Sequence, residues 1–393
     1  MALKIMVAPV RYVQGPDAVA ELGTQLAHFG IRKPLVLMSP SARKAAGATI
    51  EETLTEAGSE YVLADFAGES TRAEIERVRL ACVDGGHDAI VSCGGGKCFD
   101  TGRAAAAGDV LDVDRDLWFP LGAGVHSVSV PTVAANDGAV TSGVVIYNDD
   151  HQVESRILCR SNPLLVLVDT AIIAKTPLRL LVSGMGDALS CFFQVDACYR
   201  TGTRSIVTHG YATRTGRALA RLNLELLLTY GALAKAEVEA GVPGPALEAV
   251  CEADILLSGL SFASGGWSPA HAIGMAFDNI RELMHTPQLH GETVAFGTLC
   301  QLVLQEADPD LTLEVFGFCR SVGLPTTFEE MTLHDLTDEA LEKVAGIAAS
   351  GGGIKSLPRA HRERDASGYF YDPRELLAAI KATDAYGRQL GHT

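Results

Sequence analysis

A chain of 393 residues exceeds what one hydrophobic core usually serves, so two domains are expected. Hydrophobic residues make up 47% of it and charged residues 20%, which supplies sizeable cores and excludes a disordered chain. A formal charge of -16 with no Lys/Arg run argues against nucleic acid as a partner.

The first part alternates short β-like runs with helix-length segments. Lys33 to Met38 reads as a strand, Ala42 to Gly58 as a helix, Tyr61 to Phe66 as a strand and Thr71 to Gly85 as a helix. Asp88 to Cys93, a helix from about Cys98, and the strand His126 to Pro131 continue the series. Strands separated by helices imply right-handed crossovers and a parallel sheet, which binds ligands at the carboxyl ends of its strands. Between Thr141 and Asp169 the pattern becomes a hairpin, turning at Asn148 to His151, and then a last buried strand. After Pro177 the β signal fades and helix-period segments dominate, such as Arg217 to Ala234 and Leu336 to Ala349. The expected fold is therefore α/β: a Rossmann-like parallel-sheet domain over residues 1–174, then an all-α helical domain over 175–393.

No stretch reaches the roughly 18 consecutive apolar residues of a membrane span. The opening MALKIMVAPVRY carries Lys4 and Arg11 and lacks the long uncharged core of a secretion signal. Nine cysteines, scattered singly without a CxxC pair, argue for reduced thiols. The expectation is a cytoplasmic protein without a membrane partner.

The densest chemical signal is Gly94-Gly95-Gly96-Lys97-Cys98-Phe99-Asp100, between the strand DAIVSC and the helix GRAAAA. Glycines there let backbone N–H groups and the positive helix end approach a pyrophosphate, and Lys97 adds charge. The pattern is neither GxGxxG nor a P-loop, so a plain tight turn competes with it. At the ribose corner, the strand ending at Met38 runs into Ser39 without an acid and with Arg43 and Lys44 nearby, an arrangement that tolerates or prefers NADP; a simple helix cap is the other reading.

Asp187 in GMGDALS, His271 in SPAHAIG and His290 in LHGETVAFG supply the ligand count of a catalytic zinc or iron site. Their wide spacing is no regular motif, and His285 competes with His290, although Gly291-Glu292 after His290 and the small residues around His271 favour a close approach at those two. Asp137 follows the strand HSVSVP at the ligand-facing end of the sheet, where a carboxylate can orient a substrate hydroxyl, although Asn136-Asp137-Gly138 is also a good turn. Phe262 and Trp267 flank His271 and wall a pocket or simply pack.

These residues carry a resemblance. GGGKCFDT resembles the GGGKTLDTAK cradle of glycerol dehydrogenases, and PTVAAND resembles their PTIASTD. NPLLVLVDTAIIAKTPLRLLVSGMGDAL, SGLSFASGGWSPAHAIG and HGETVAFGTLCQLVLQ are similar to the blocks that carry that family's metal-binding Asp and two His. The chain is identified as a member of the glycerol dehydrogenase branch of the metal-dependent, iron-type alcohol dehydrogenase superfamily, whose architecture is that of dehydroquinate synthase.

The resemblance implies zinc, with iron(II) as the alternative, on Asp187, His271 and His290. It implies NAD or NADP over Ser39, Gly94, Gly95, Gly96, Lys97, Cys98, Phe99 and Asp100, and beside Thr132, Val133, Ala135, Thr141 and Tyr147. Asp137 matches the substrate-contacting, catalytic Asp, and the family is commonly homo-oligomeric, often octameric. The implied reaction interconverts a secondary alcohol of a small polyol and its ketone. A glycerol-1-phosphate dehydrogenase, a dehydrogenase of another small polyol, an amino alcohol or a cyclitol, a sugar-phosphate cyclase, and a non-catalytic dinucleotide-binding or assembly protein are the alternatives. Departures are Ser39 at the ribose-binding Asp, Gly138 to Thr141 after Asp137, Gly274 for the extra His of the family's HAxHN, and a longer insert over residues 109–125 that covers the cofactor cleft or forms an oligomer contact.

Overall fold

The computed structural model describes residues 3–113 and 115–391. The chain divides into a sheet unit, residues 7–177 with 237–259, and a helical unit, residues 3–6, 178–236 and 260–391.

The sheet unit holds ten strands: β1 (Arg11–Gly15), β2 (Pro34–Met38), β3 (Val62–Asp65), β4 (Ala89–Gly94), β5 (Asp109–Asp112), β6 (Leu117–Pro120), β7 (His126–Pro131), β8 (Gly143–Tyr147), β9 (Val153–Cys159) and β10 (Leu165–Asp169). Six of them form a parallel sheet in the order β1-β10-β7-β4-β2-β3. Side chains alternate across a strand, so β2 feeds both faces. Val36 and Met38 pack against Leu22 and Leu26 of α1 (Leu22–His28) and Ala42, Ala46 and Ile50 of α2 (Pro40–Glu56). Leu35 and Leu37 pack on the opposite face, against Ile75 and Val78 of α3 (Arg72–Gly85) and Ala104 and Ala105 of α4 (Gly96–Ala106). Burial on both faces explains why these strands read as continuous apolar runs.

After β3, at the sheet edge, the chain returns to β4 on the other side of β2 and proceeds to β7. The loops after β2, β4 and β7 therefore open at one end of the sheet, beside a change of direction in strand order.

The insert over residues 109–125 contributes β5 and β6, which join β9 and β8 in a second, antiparallel sheet, β6-β5-β9-β8. The sequence reading assigned these residues no strand. Their apolar content is split: Val110 is buried against the α3/α4 core, whereas Leu117 and Trp118 are 57% and 46% exposed.

The short helix α5 (Thr170–Ile173) ends the first pass through the sheet unit. Then come α6 (Leu178–Thr201), α7 (Arg214–Glu239), α8 (Pro245–Cys251), α9 (Ser258–Gly265), α10 (Pro269–Ala276), α11 (His290–Leu304), α12 (Pro309–Val322), α13 (Asp338–Ser350) and α14 (Pro373–Gly391). Residues 237–259, assigned to the helical half from sequence, pack with the sheet unit instead. Gln14 Nε2 donates to Glu248 Oε2 at 2.7 Å and to its carbonyl at 2.9 Å, and a Cβ at Gly259 would lie 2.7 Å from Val140. These contacts join positions far apart in the chain, so no local pattern announces them. The helical unit is held by a core that includes Phe277, Phe296, Val344 and Ile380, from four different segments.

Candidate metal centre and dinucleotide cradle

Within the helical unit, Asp187 lies in α6, His271 in α10, and His290 is the first residue of α11. Their ligand-capable atoms all fall within 4.8 Å of one another. Asp187 Oδ1 is 3.2 Å from His271 Nε2 and 3.5 Å from His290 Nε2. The two imidazole centres are 5.3 Å apart, and Trp267 lies 6.3 Å from His271, ring to ring.

Glycines bring the three backbones this close. A Cβ at Gly291 of α11 would sit 1.7 Å from the Ser183 carbonyl of α6, and one at Gly186 would sit 2.4 Å from the Gly291 carbonyl. On the other side, a Cβ at Gly297 would meet the Ala270 carbonyl of α10 at 2.1 Å, and one at Gly274 the Thr293 carbonyl at 2.8 Å. Gly274, which stands where the resemblance implies an extra His, thus serves helix packing.

His290 is fixed by the start of its helix. The Leu289 N–H donates to Glu292 Oε2 at 2.6 Å, the reach-back half of a capping box, and Arg179 of α6 holds the same carboxylate through two bonds of 2.6 and 2.7 Å. Buried Gln301 stitches the rest: its carbonyl oxygen accepts from the Ala270 N–H at 3.1 Å, and its amide donates to the Phe193 carbonyl at 3.0 Å. The sequence reading passed over Arg179 and Gln301. The glutamate three residues into an apolar helix was the available signal for the first.

The side chains of Asp187 and His271 are 8% and 13% exposed, and that of His290 is 46% exposed. Burial alone pushes the Asp187 carboxyl up, but the adjoining His271 and His290 imidazoles outweigh it and hold it well below the usual carboxylate range. Burial lowers His271, favouring the neutral imidazole that a metal requires. Asp187 Oδ1 is buried without a hydrogen bond of sound geometry despite its two imidazole neighbours. An anionic oxygen so placed beside two imidazole nitrogens fits a divalent cation.

His285 is excluded from this cluster, because its ring packs on His334. Phe262 is half-buried in α9 and is not among the rings that meet His271. Two cations near the chain end are engaged elsewhere: Lys355 lies 4.2 Å over the Phe370 ring, and Arg359 pairs with Glu375 at 3.1 Å.

In the sheet unit, Gly94 ends β4, Gly95 caps α4, and Gly96 and Lys97 open it. A Cβ at Gly94 would lie 3.1 Å from Ser39 Oγ, one at Gly95 3.7 Å from Val133, and one at Gly96 3.4 Å from Asn136. The missing side chains thus let the start of α4 lie close against the loops after β2 and β7, and the N–H groups of such a first turn suit a diphosphate. Thr132 N–H donates to the Gly94 carbonyl at 3.0 Å, tying the β7 loop to the cradle. Cys98 and Phe99 are buried and their N–H groups donate to the Gly95 carbonyl at 3.0 and 3.2 Å, so neither offers a free donor to a ligand. The Asp100 carboxylate instead accepts from the Val145 N–H at 3.2 Å and lies 3.9 Å from Arg103. Thr141 is buried, half-buried Ala135 lies on the β7 loop, and Tyr147 ends β8.

Asp137 begins a short helical turn at Asp137–Ala139, so the turn reading of this sequence holds geometrically. Arg103, 1% exposed, donates to the Gly143 carbonyl at 2.6 Å and to the Gly138 carbonyl, holding the loop that carries Asp137 against α4. Nothing in GRAAAA signals a buried arginine. Ser39 caps α2, its Oγ accepting from the Ala42 N–H at 3.3 Å, and Arg43 is paired with Asp65 at 2.9 Å rather than free. An acid therefore does stand near the ribose corner, but on β3.

Residues 9–170 match the family described as iron-containing alcohol dehydrogenase. The glycerol dehydrogenase of Citrobacter freundii is 36% identical over 388 residues, 98% of this chain and 99% of that protein. The chain belongs to the iron-containing alcohol dehydrogenase family, in its glycerol dehydrogenase branch. The glycerol dehydrogenase of Thermotoga maritima is 37% identical to this alcohol dehydrogenase over 382 residues, 97% of this chain and 96% of the relative. The crystal structure of glycerol dehydrogenase from Schizosaccharomyces pombe superposes with a TM-score of 0.86 at 29% identity, covering 100% of this chain and 94% of that one. As members of this family do, the chain works as a metal-dependent oxidoreductase with a nicotinamide cofactor. Among the described residues, no helix is long and apolar enough to cross a membrane.

Proposed function

We propose that this alcohol dehydrogenase interconverts a secondary hydroxyl of a small polyol, glycerol in the first instance, and the corresponding ketone. The observation that carries this reading is the convergence of Asp187, His271 and His290, one carboxylate and two imidazoles from three helices. Three protein donors are the count of a catalytic centre rather than of a closed structural one. Zinc is the proposed ion, with iron(II) as the alternative, since both accept this mixed oxygen and nitrogen set. When bound, the cation acidifies an alcohol and the nicotinamide takes up hydride equivalents.

The chain's own residues do the rest. Asp187 supplies the charge, while His271 and His290 stay neutral as donors. Trp267, whose ring lies 6.3 Å from that of His271, forms part of the wall beside the ligands. The glycine cradle offers backbone N–H groups to the dinucleotide diphosphate. Asp137, on the loop held by Arg103, accepts a hydrogen bond from a second substrate hydroxyl, which fixes the orientation of a diol. Ser39 leaves the ribose corner without an acid on β2, so NADP as well as NAD is accepted.

The described cysteines are all free and buried, which supports a reducing compartment, and we assign the protein to the cytoplasm. A homo-oligomer, octameric as in related enzymes, belongs to the same proposal.

Initial rates with polyols, phosphorylated polyols and cyclitols, using both dinucleotides before and after chelation, test the substrate class. Asp187→Ala should lose the bound metal and more than about 100-fold of kcat/KM while keeping its helical content. A metal-free Asp187→Ala enzyme that still turns over like wild type would overturn the assignment.

A further inference from the structure

The lysine of the cradle is already engaged. Lys97 Nζ lies 2.6 Å from Glu69 Oε2 and 4.7 Å from the centre of the Tyr147 ring. The same carboxylate oxygen meets His151 Nδ1 at 2.8 Å, and Glu69 Oε1 accepts from the Ser70 N–H at 3.1 Å. Three pieces of the sheet unit meet here: the loop between β3 and α3, the first turn of α4, and the turn between β8 and β9. The loop is pinned, since the Tyr147 N–H donates to the Ser70 carbonyl at 2.9 Å and Thr71 bridges to Tyr147.

Glu69 is only 14% exposed, whereas Lys97 is 45% exposed. Burial raises the Glu69 carboxyl, but hydrogen bonds from Lys97, His151 and Ser70 outweigh it and hold it below its ordinary value, so it carries its charge at neutral pH. An anion therefore stands beside the cradle, and it cancels the cation that the cradle would present to a diphosphate.

We propose that Glu69 is a positioning and charge-compensating residue for Lys97. It holds the ammonium next to the glycines and lowers dinucleotide affinity below what a free lysine would give. This rests on reading Gly94 to Asp100 as a dinucleotide cradle. When the diphosphate draws Lys97 away, Glu69 is not stranded, because the Ser70 N–H and His151 remain as its partners. The arrangement favours release of the cofactor as much as its capture.

Glu69→Gln keeps the shape and removes the charge. Its dissociation constant for NADH or NADPH, read by nucleotide fluorescence at low ionic strength, should fall about fivefold and depend more steeply on salt. The cofactor KM should fall with it, and kcat should not rise. Lys97→Met should weaken binding, and in that background Glu69→Gln should have no effect on affinity. Unchanged or weaker binding by Glu69→Gln, with Lys97→Met weakened, overturns the proposal alone. An equal Glu69→Gln effect with and without Lys97 also overturns it, because the acid then acts through the loop. Unchanged affinity in Lys97→Met overturns it by removing the cradle reading beneath it.

Discussion

Asp100 shows what it costs to pack a cradle helix tightly. Its carboxyl is 14% exposed, and burial pushes it from 3.8 to about 6, with Arg103 and the Val145 N–H pulling it only partly back. A folded value above the unfolded one means that the fold prefers the protonated acid. That contribution is complete below the unfolded value and is lost as pH rises to about 6. Two units correspond to a loss on the order of 3 kcal/mol. Asp100→Asn does not titrate, so its stability relative to wild type should rise by about that amount between about pH 4 and about pH 7. The lost partner of Arg103 adds a constant offset and leaves the slope unaffected. Urea melts across this range check it, and a flat difference would refute the burial argument. None of this was readable from GGGKCFDT: the motif announces glycines and a lysine, but not that Asp100 turns to β8 or that Lys97 is paired with Glu69. Side-chain partners distant in sequence leave no local trace.

At the level of elements, the metal centre depends on helices that touch backbone to backbone. Gly291→Ala would drive a methyl to 1.7 Å from the Ser183 carbonyl, and neither helix backbone can yield without moving the other. A destabilisation of about 3 kcal/mol is expected, together with loss of metal, because separating α6 from α11 separates Asp187 from His290. Gly317→Ala in α12 is the matched control: nothing lies within 4 Å of the added carbon, and alanine is the better helix former. It should be neutral or stabilising by up to about 1 kcal/mol. Thermal melts and metal analysis of both variants decide, and equal behaviour would reject close approach as the reason for the glycine. Elements with strong periodicity were legible: β7 runs from His126 to Pro131 as read, β2, β3 and β4 fall within a residue of their expected bounds, and the expected hairpin and last strand are β8, β9 and β10. The strands of the insert were not, because half of their apolar residues face outward and no alternation survives.

For the whole molecule, the sequence supported an α/β part followed by a helical part, and missed the return of residues 237–259 to the sheet unit. The triplet Asp187, His271 and His290 was legible as candidate ligand chemistry, with Gly291-Glu292 already favouring His290 over His285, and the fold adds that His285 packs on His334 instead. Because the triplet lies wholly in the helical unit and the glycine cradle wholly in the sheet unit, their ligands should stabilise different parts of the chain. A cation bound to the native state alone, at about 100 times its dissociation constant, contributes about 2.7 kcal/mol. Chelating it leaves the buried Asp187 carboxylate with only two imidazoles. Hydrogen exchange on the metal-loaded enzyme should therefore quicken on chelation at the amides of α6, α10 and α11, while β4 and α4 change little. Adding NADH or NADPH should protect the first turn of α4 instead. Chelation that loosens β4 and α4 but spares the three ligand-bearing helices would contradict the assignment of the cation to Asp187, His271 and His290.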